Sequence, residues 1–138
     1  MAHTVLIVDD VEFVRKTLSD ILTDADFQIV GEAEDGNQAV DLYFKLKPDF
    51  VTMDIVMPNM SGIEATRKIV KIDKDAKIVI ITAMGQENLV MEAINVGAKD
   101  YILKPFCAED ILRTMSRLTG GDDRSSSRSS SQREQKMG

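Results

Sequence analysis

Apolar positions along this chain follow two alternating patterns. Short apolar runs occupy Val5 to Val8, Gln28 to Ala33, Phe50 to Met53, Ile78 to Ile81 and Tyr101 to Leu103. Their lengths and β-branched content suit strands, and the uninterrupted runs VLIV and IVII suit strands buried on both faces. Between them the apolar residues recur at helical spacing. Val11, Val14, Leu18, Ile21, Leu22 and Ala25 form a stripe that one face of a first helix would bury, and Ala39, Leu42, Tyr43 and Leu46 form a second.

Ser61 and Glu64 stand at capping-box spacing and mark the start of a third helix. A fourth is predicted from Gln86 to Val96, ending at Gly97, a residue suited to a left-handed helix exit. Ala108, Ile111, Leu112, Met115 and Leu118 define the buried face of a fifth. Five strand-helix pairs with short connections predict an α/β fold, a doubly wound five-stranded parallel sheet covered by helices on both faces.

The pattern stops after Thr119. The remaining stretch, Gly120 to Gly138, is rich in Ser, Arg, Gln and Glu with Met137 its one apolar residue, so residues 1–119 are expected to form one domain and 120–138 a disordered tail. Its four basic and three acidic side chains leave the domain before it at about −7 of the chain's net −6. A flexible linker is the favoured reading of this tail, ahead of a regulatory phosphosite among its serines.

An acidic domain without a compact Lys/Arg cluster has little with which to hold a phosphate backbone, which disfavours nucleic acid as a partner. No apolar run approaches the roughly 20 residues of a membrane helix and the N-terminus lacks a signal pattern, so a cytoplasmic protein is expected. Cys107 is the only cysteine, which excludes an internal disulfide and a thiolate zinc site. It is expected to be a small, buried or half-buried residue. His3, the only histidine, is expected in a frayed terminus and not in catalysis.

Candidate chemistry sits where the strands end. Asp9 and Asp10 follow the first, Asp54 the third, Thr82 ends the fourth and Lys104 the fifth. In an open parallel sheet these ends share the edge at which such folds place their sites. Three converging carboxylates suit a hard divalent cation such as Mg2+, with Mn2+ an alternative. Without a cation they would repel one another. Asp54 then has the chemistry of a nucleophile that forms an acyl phosphate, with Thr82 and Lys104 holding phosphoryl oxygens. The structural alternative is that Asp9 or Asp10 caps the first helix and Lys104 pairs with the acidic cluster. Placement of all five at strand ends favours a site.

Four segments, VLIVDD, VTMDIVMPNMSG, IVIITA and GAKDYILKPF, resemble the receiver domain of two-component response regulators, and most closely its single-domain chemotaxis members, over Thr4 to about Thr119. The resemblance implies a flavodoxin-like strand order 2-1-3-4-5. It also implies Asp54 as phosphoacceptor, Asp9, Asp10, Asp54 and the main-chain carbonyl of Val56 as metal ligands, and Thr82 and Lys104 as phosphoryl contacts. Tyr101 resembles the aromatic switch of the family, with small Ala83 leaving room for its movement, and Lys104-Pro105 a bond that is cis there. Val56 and Met84 are apolar where chemotaxis members with rapid signal decay carry polar groups, which implies slow self-dephosphorylation and dependence on an auxiliary phosphatase. Phe13, roughly opposite the first helix's stripe at about 100° per residue, is read either as an aromatic lip beside Asp10 or as ordinary packing in a niche near the loop.

The function so implied is a phosphorylation-activated switch and not a multiple-turnover enzyme. A histidine kinase would phosphorylate it, and as a monomer it would signal by protein binding to the flagellar motor switch through the surface around Gln86 to Val96, Asp100 to Leu103 and Ala108 to Leu118. The alternatives are a phosphorelay intermediate serving a histidine phosphotransfer protein and a small aspartyl-nucleophile phosphatase. Against the last, Asp9-Asp10 lacks DxD spacing and no substrate lid is evident.

Overall fold

A computed structural model describes residues 2–119; the predicted tail, 120–138, lies outside the described residues. Five strands and five helices alternate: β1 (Thr4–Val8), α1 (Glu12–Asp24), β2 (Gln28–Ala33), α2 (Gly36–Leu46), β3 (Phe50–Met53), α3 (Gly62–Ile72), β4 (Ile78–Ala83), α4 (Glu87–Val96), β5 (Asp100–Lys104) and α5 (Ala108–Leu118). All strand pairs are parallel and the sheet order is β2-β1-β3-β4-β5. The doubly wound architecture and this order are those expected.

Pleating divides the core in two. Leu6, Val8, Val51, Met53, Ile78 and Ile80 face α2, α3 and α4, where Ala39, Tyr43, Ala65, Ile69, Val90 and Ala93 complete one buried cluster. Val5, Ile7, Phe50, Val79 and Ile81 point the other way, onto Leu18 and Leu22 of α1 and Ile111 and Met115 of α5. Because both faces of β1, β3 and β4 are covered, their runs are buried at almost every position and mostly apolar, with Thr52 and Thr82 as buried exceptions. This explains why the sequence shows no strand-like alternation there.

Several boundaries differ from those predicted. Val11 and Gln86 are N-caps and not helical residues, and Val11 is exposed because the chain is still turning out of β1 when it reaches this position. Ala25, at the other end of the first stripe, caps α1 from outside. Ala108 is exposed because α5 turns it away from the sheet in its first turn. Cys107 is exposed at the N-cap of α5, which places it on the surface and not in the core. His3 is ordered by its neighbours: its ring meets Phe50 edge-on at 5.6 Å, and Nδ1 lies 3.7 Å from Asp49.

The predicted cap at Ser61 is present, its Oγ accepting from the Glu64 N–H at 3.2 Å. Gly97 ends α4 with φ 129°, and a Cβ there would lie 2.7 Å from a Val70 methyl, so conformation and packing both demand glycine.

Candidate functional site

Sheet register brings the acidic residues together. Val8 of β1 and Met53 of β3 are partners, and Met53 pairs in turn with Ile80 of β4. The chain therefore leaves the sheet at Asp9 and at Asp54 side by side, and the Asp54 N–H donates to the Val8 carbonyl at 3.0 Å. Carboxylate oxygens of Asp9, Asp10 and Asp54 all lie within 4.8 Å of one another. Lys104 reaches the same point from β5, its Nζ 3.0 Å from Asp9 Oδ2 and 3.5 Å from Asp54 Oδ2.

The three carboxylates differ in setting. Asp9 is 1% exposed and held through all its polar atoms: its N–H donates to the Ala33 carbonyl, Oδ1 accepts from the Val11 N–H at 2.9 Å, Oδ2 accepts from Lys104, and its carbonyl accepts from Arg15 Nη1 at 2.7 Å. Asp10 is exposed. Asp54 is 7% exposed, with Oδ1 accepting from the Ile55 N–H at 2.8 Å. Burial, and next the charge of Asp9, raise its pKa to about 6, against the opposing pull of Lys104. Two buried carboxylates so close do not ionise together without cost, and one lysine does not fully compensate them.

The loop after Asp54 is clamped. Gly62 opens α3 with its N–H on the Ile55 carbonyl, and a Cβ at Gly62 would lie 1.9 Å from the Asp54 carbonyl oxygen. Asn59 sits at φ 68° and its Nδ2 donates to Asp35 Oδ2 at 2.7 Å. Asp35 is buried and also caps α2, and these hydrogen bonds, chiefly the one from the Gln38 N–H, hold its carboxyl below the usual range. The Gly36 N–H adds a bond to the Met60 carbonyl at 3.0 Å.

Other residues singled out in the sequence surround this cluster at different depths. Thr82 is buried at the end of β4 but makes no hydrogen bond to the carboxylates among the described residues. Ala83 and Met84 are exposed just beyond it, and Val56 is 59% exposed. The Lys104-Pro105 bond is cis. The Tyr101 ring faces outward beside Arg113, Thr114 and Arg117, at 45% exposure. Phe13 is 77% exposed and lines an apolar groove with Val14, Thr17, Pro105 and Phe106.

Sequence reasoning missed Arg15, Asp35 and Asn59. For Arg15 a signal was present: it lies between Val14 and Leu18, at the margin of the apolar stripe of α1. The Asp35–Asn59 contact spans 24 residues between two loops and left no local pattern.

A parallel sheet of this order with acidic residues at the β1 and β3 ends defines a phosphorylation-type receiver domain, and the chain belongs to the response regulator receiver domain family, whose model matches residues 5–116. Within that family the chain is similar to the chemotaxis protein CheY. It is 50% identical to CheY of Thermotoga maritima over 119 residues, covering 86% of this chain and 99% of that protein. With CheY of Bacillus subtilis the identity is 50% over 117 residues, covering 85% and 98%. A chain in the crystal structure of the CheX-CheY-BeF3-Mg2+ complex from Borrelia burgdorferi superimposes with a TM-score of 0.78 at 42% identity, covering 83% of this chain and 87% of that one. CheY shares the flavodoxin-like strand order 2-1-3-4-5, and open α/β sheets place their ligands at the carboxyl ends of strands where the order reverses. No helix among the described residues is long and apolar enough to cross a membrane.

Proposed function

We propose that this protein is a chemotaxis response regulator that accepts a phosphoryl group on Asp54 from a histidine kinase and signals through a changed surface to the flagellar motor switch. The observation that carries this reading is the convergence of three carboxylates within 4.8 Å with Lys104 Nζ at 3.0 and 3.5 Å from two of them. Such an arrangement is electrostatically incomplete as it stands, and hard oxygen donors with the raised Asp54 pKa suit a small divalent cation. Asp9, Asp10 and Asp54, with the Val56 carbonyl, would hold Mg2+, or Mn2+ in its place. The cation supplies charge neutralisation for an incoming phosphoryl group.

An ionised Asp54 oxygen attacks the phosphorus of a phosphohistidine. The new O–P bond forms as the P–N bond breaks, and the departing imidazole takes up a proton. Lys104 then exchanges its carboxylate contact for a phosphoryl oxygen, a charge-assisted bond of the same kind. Thr82, the nearest strand-end hydroxyl on β4, supplies a second contact. Its shift would let Tyr101 turn inward past Ala83, altering the face formed by α4, β5 and α5. A partner that binds the altered face better draws the population toward it.

Exposed Val56 and Met84 offer attacking water no hydrogen bond, which favours a long-lived acyl phosphate and removal by an auxiliary phosphatase. The relatives named CheY support the chemotaxis assignment, and the Borrelia burgdorferi structure, in which CheY is complexed with CheX, supports a further protein partner. Residues 1–119 form the signalling domain in this reading, which acts as a cytoplasmic monomer. Incubation with acetyl phosphate and Mg2+ is expected to add the mass of one phosphoryl group, and Asp54→Asn to abolish the addition. An unchanged mass in the wild type, or an addition that survives the substitution, refutes it.

A further inference from the structure

Arg15 is a charged residue kept only 11% exposed, and two of its guanidinium nitrogens are engaged. Nη1 donates to the Asp9 main-chain carbonyl at 2.7 Å, while Nε donates to Glu32 Oε1 at 2.9 Å. The guanidinium thus ties the fourth residue of α1 onto the end of β1 and onto β2. Asp9 lies at the bottom of the acidic cluster, and Arg15 touches no carboxylate of that cluster through its side chain.

We infer that Arg15 is a positioning residue for the divalent-cation site, acting through the Asp9 backbone. This rests on the reading of the acidic cluster given above. The turn from β1 into α1 must present two successive carboxylates to one ion, and the Asp9 peptide is the pivot on which both depend. A planar fork can fix that pivot against Glu32, whereas an ammonium makes no equivalent pair of directed bonds. Partners of this sort, one step removed from a metal, change its affinity by roughly 10- to 100-fold when removed.

Charge and position act in opposite directions here, so the sign of the effect discriminates. Taking away a cation near three carboxylates tightens Mg2+ binding by electrostatics alone. Loosening Asp9 weakens it. Arg15→Gln should therefore weaken Mg2+ binding despite the lost positive charge. The double variant Arg15→Gln/Glu32→Gln removes one charge of each sign and leaves net charge unchanged, so its affinity reports position alone.

Isothermal titration with Mg2+ at fixed ionic strength decides the matter, with urea titrations in metal-free buffer confirming that each variant is folded. The double variant is expected to bind Mg2+ at least about tenfold more weakly than the wild type, in the range of such partners. Arg15→Lys, which keeps the charge and loses the fork, should lie between the two. Affinity within twofold of wild type in the double variant overturns the inference. If that variant does not fold, Arg15→Lys decides: wild-type affinity overturns the role and severalfold weakening supports it. Absence of Mg2+ binding by the wild type overturns the cation-site reading and this inference together, whereas wild-type binding with an unaffected double variant removes only the role of Arg15.

Discussion

Replacing Asp54 by Asn is expected to stabilise the protein at neutral pH in metal-free solution while leaving it nearly unchanged at pH 4. The Asp54 carboxyl titrates at about 6 in the folded protein, against 3.8 for an unstrained aspartate. A group whose folded pKa is raised contributes stability that is fully present below the unfolded value, because both states are then protonated. That contribution is lost as pH rises from about 4 through 6, since the unfolded chain releases the proton more readily. At roughly 1.36 kcal/mol per pH unit the loss approaches 3 kcal/mol, and solvent at the open mouth of the site reduces it to about 1–2 kcal/mol. Asn keeps the acceptor for the Ile55 N–H and has no proton to lose. Lys104 retains Asp9 at 3.0 Å. The measurement is a set of urea titrations of both proteins at pH 4, 5, 6 and 7 with chelator present, followed by circular dichroism because the chain has no tryptophan. Other carboxylates titrate in both proteins, so the difference between the two curves isolates Asp54. It should grow from near zero at pH 4 to about 1–2 kcal/mol in favour of the variant at pH 7. A pH-independent difference, or a variant less stable at pH 7, refutes the electrostatic account. Mg2+ at 100 times its dissociation constant should restore about 2.7 kcal/mol to the wild type, and less to the variant.

Three further outcomes are expected. Gly62→Ala places a methyl 1.9 Å from the Asp54 carbonyl oxygen and should cost about 3 kcal/mol or more in urea titrations, with loss of phosphorylation from acetyl phosphate. Val56→Asn/Met84→Glu gives attacking water polar partners and should shorten the phosphoryl half-life; an unchanged or longer half-life rejects shielding by these side chains. Tyr43→Phe removes the donor of a 2.6 Å bond to Asp73 Oδ2, in a setting where burial and that bond push the tyrosine pKa well up. About 1–2 kcal/mol of stability should go with it, and a shift below a few tenths would show the bond is not net stabilising.

What was legible in the sequence was whatever repeats locally. Strands β2 and β3 fall on their predicted residues because β-branched runs between turn residues have few other uses; apolar stripes located α1, α2 and α5, and end signals at Ser61 and Gly97 located α3 and α4. Their ends were less legible. Val11 and Ala108 match the apolar period but lie where the chain turns between layers, so they are exposed. The acidic cluster was readable because its members follow the ends of two strands, β1 and β3, positions that topology converts into proximity. Arg15 and the Asp35–Asn59 bridge were hidden because their partners come from other strands or loops, and residue type alone does not say which carbonyl a guanidinium will meet. Thr82 illustrates a different limit: its strand-end position was clear, yet its buried side chain makes no hydrogen bond to the carboxylates among the described residues.

The close fit of Gly62 against Asp54 bears on how information leaves the site. With its N–H on Val8 and its carbonyl against the Gly62 backbone, Asp54 has a main chain with no room to travel. After β4 the segment Ala83-Met84-Gly85 is exposed, and nothing lies within 4 Å of where a Gly85 Cβ would be. The sheet edge is therefore built as a stationary jaw and a compliant one. Displacement should accumulate in the compliant jaw, and amide hydrogen exchange should be slow at Asp54 and Ile55 and fast at Met84 and Gly85 in the same molecule.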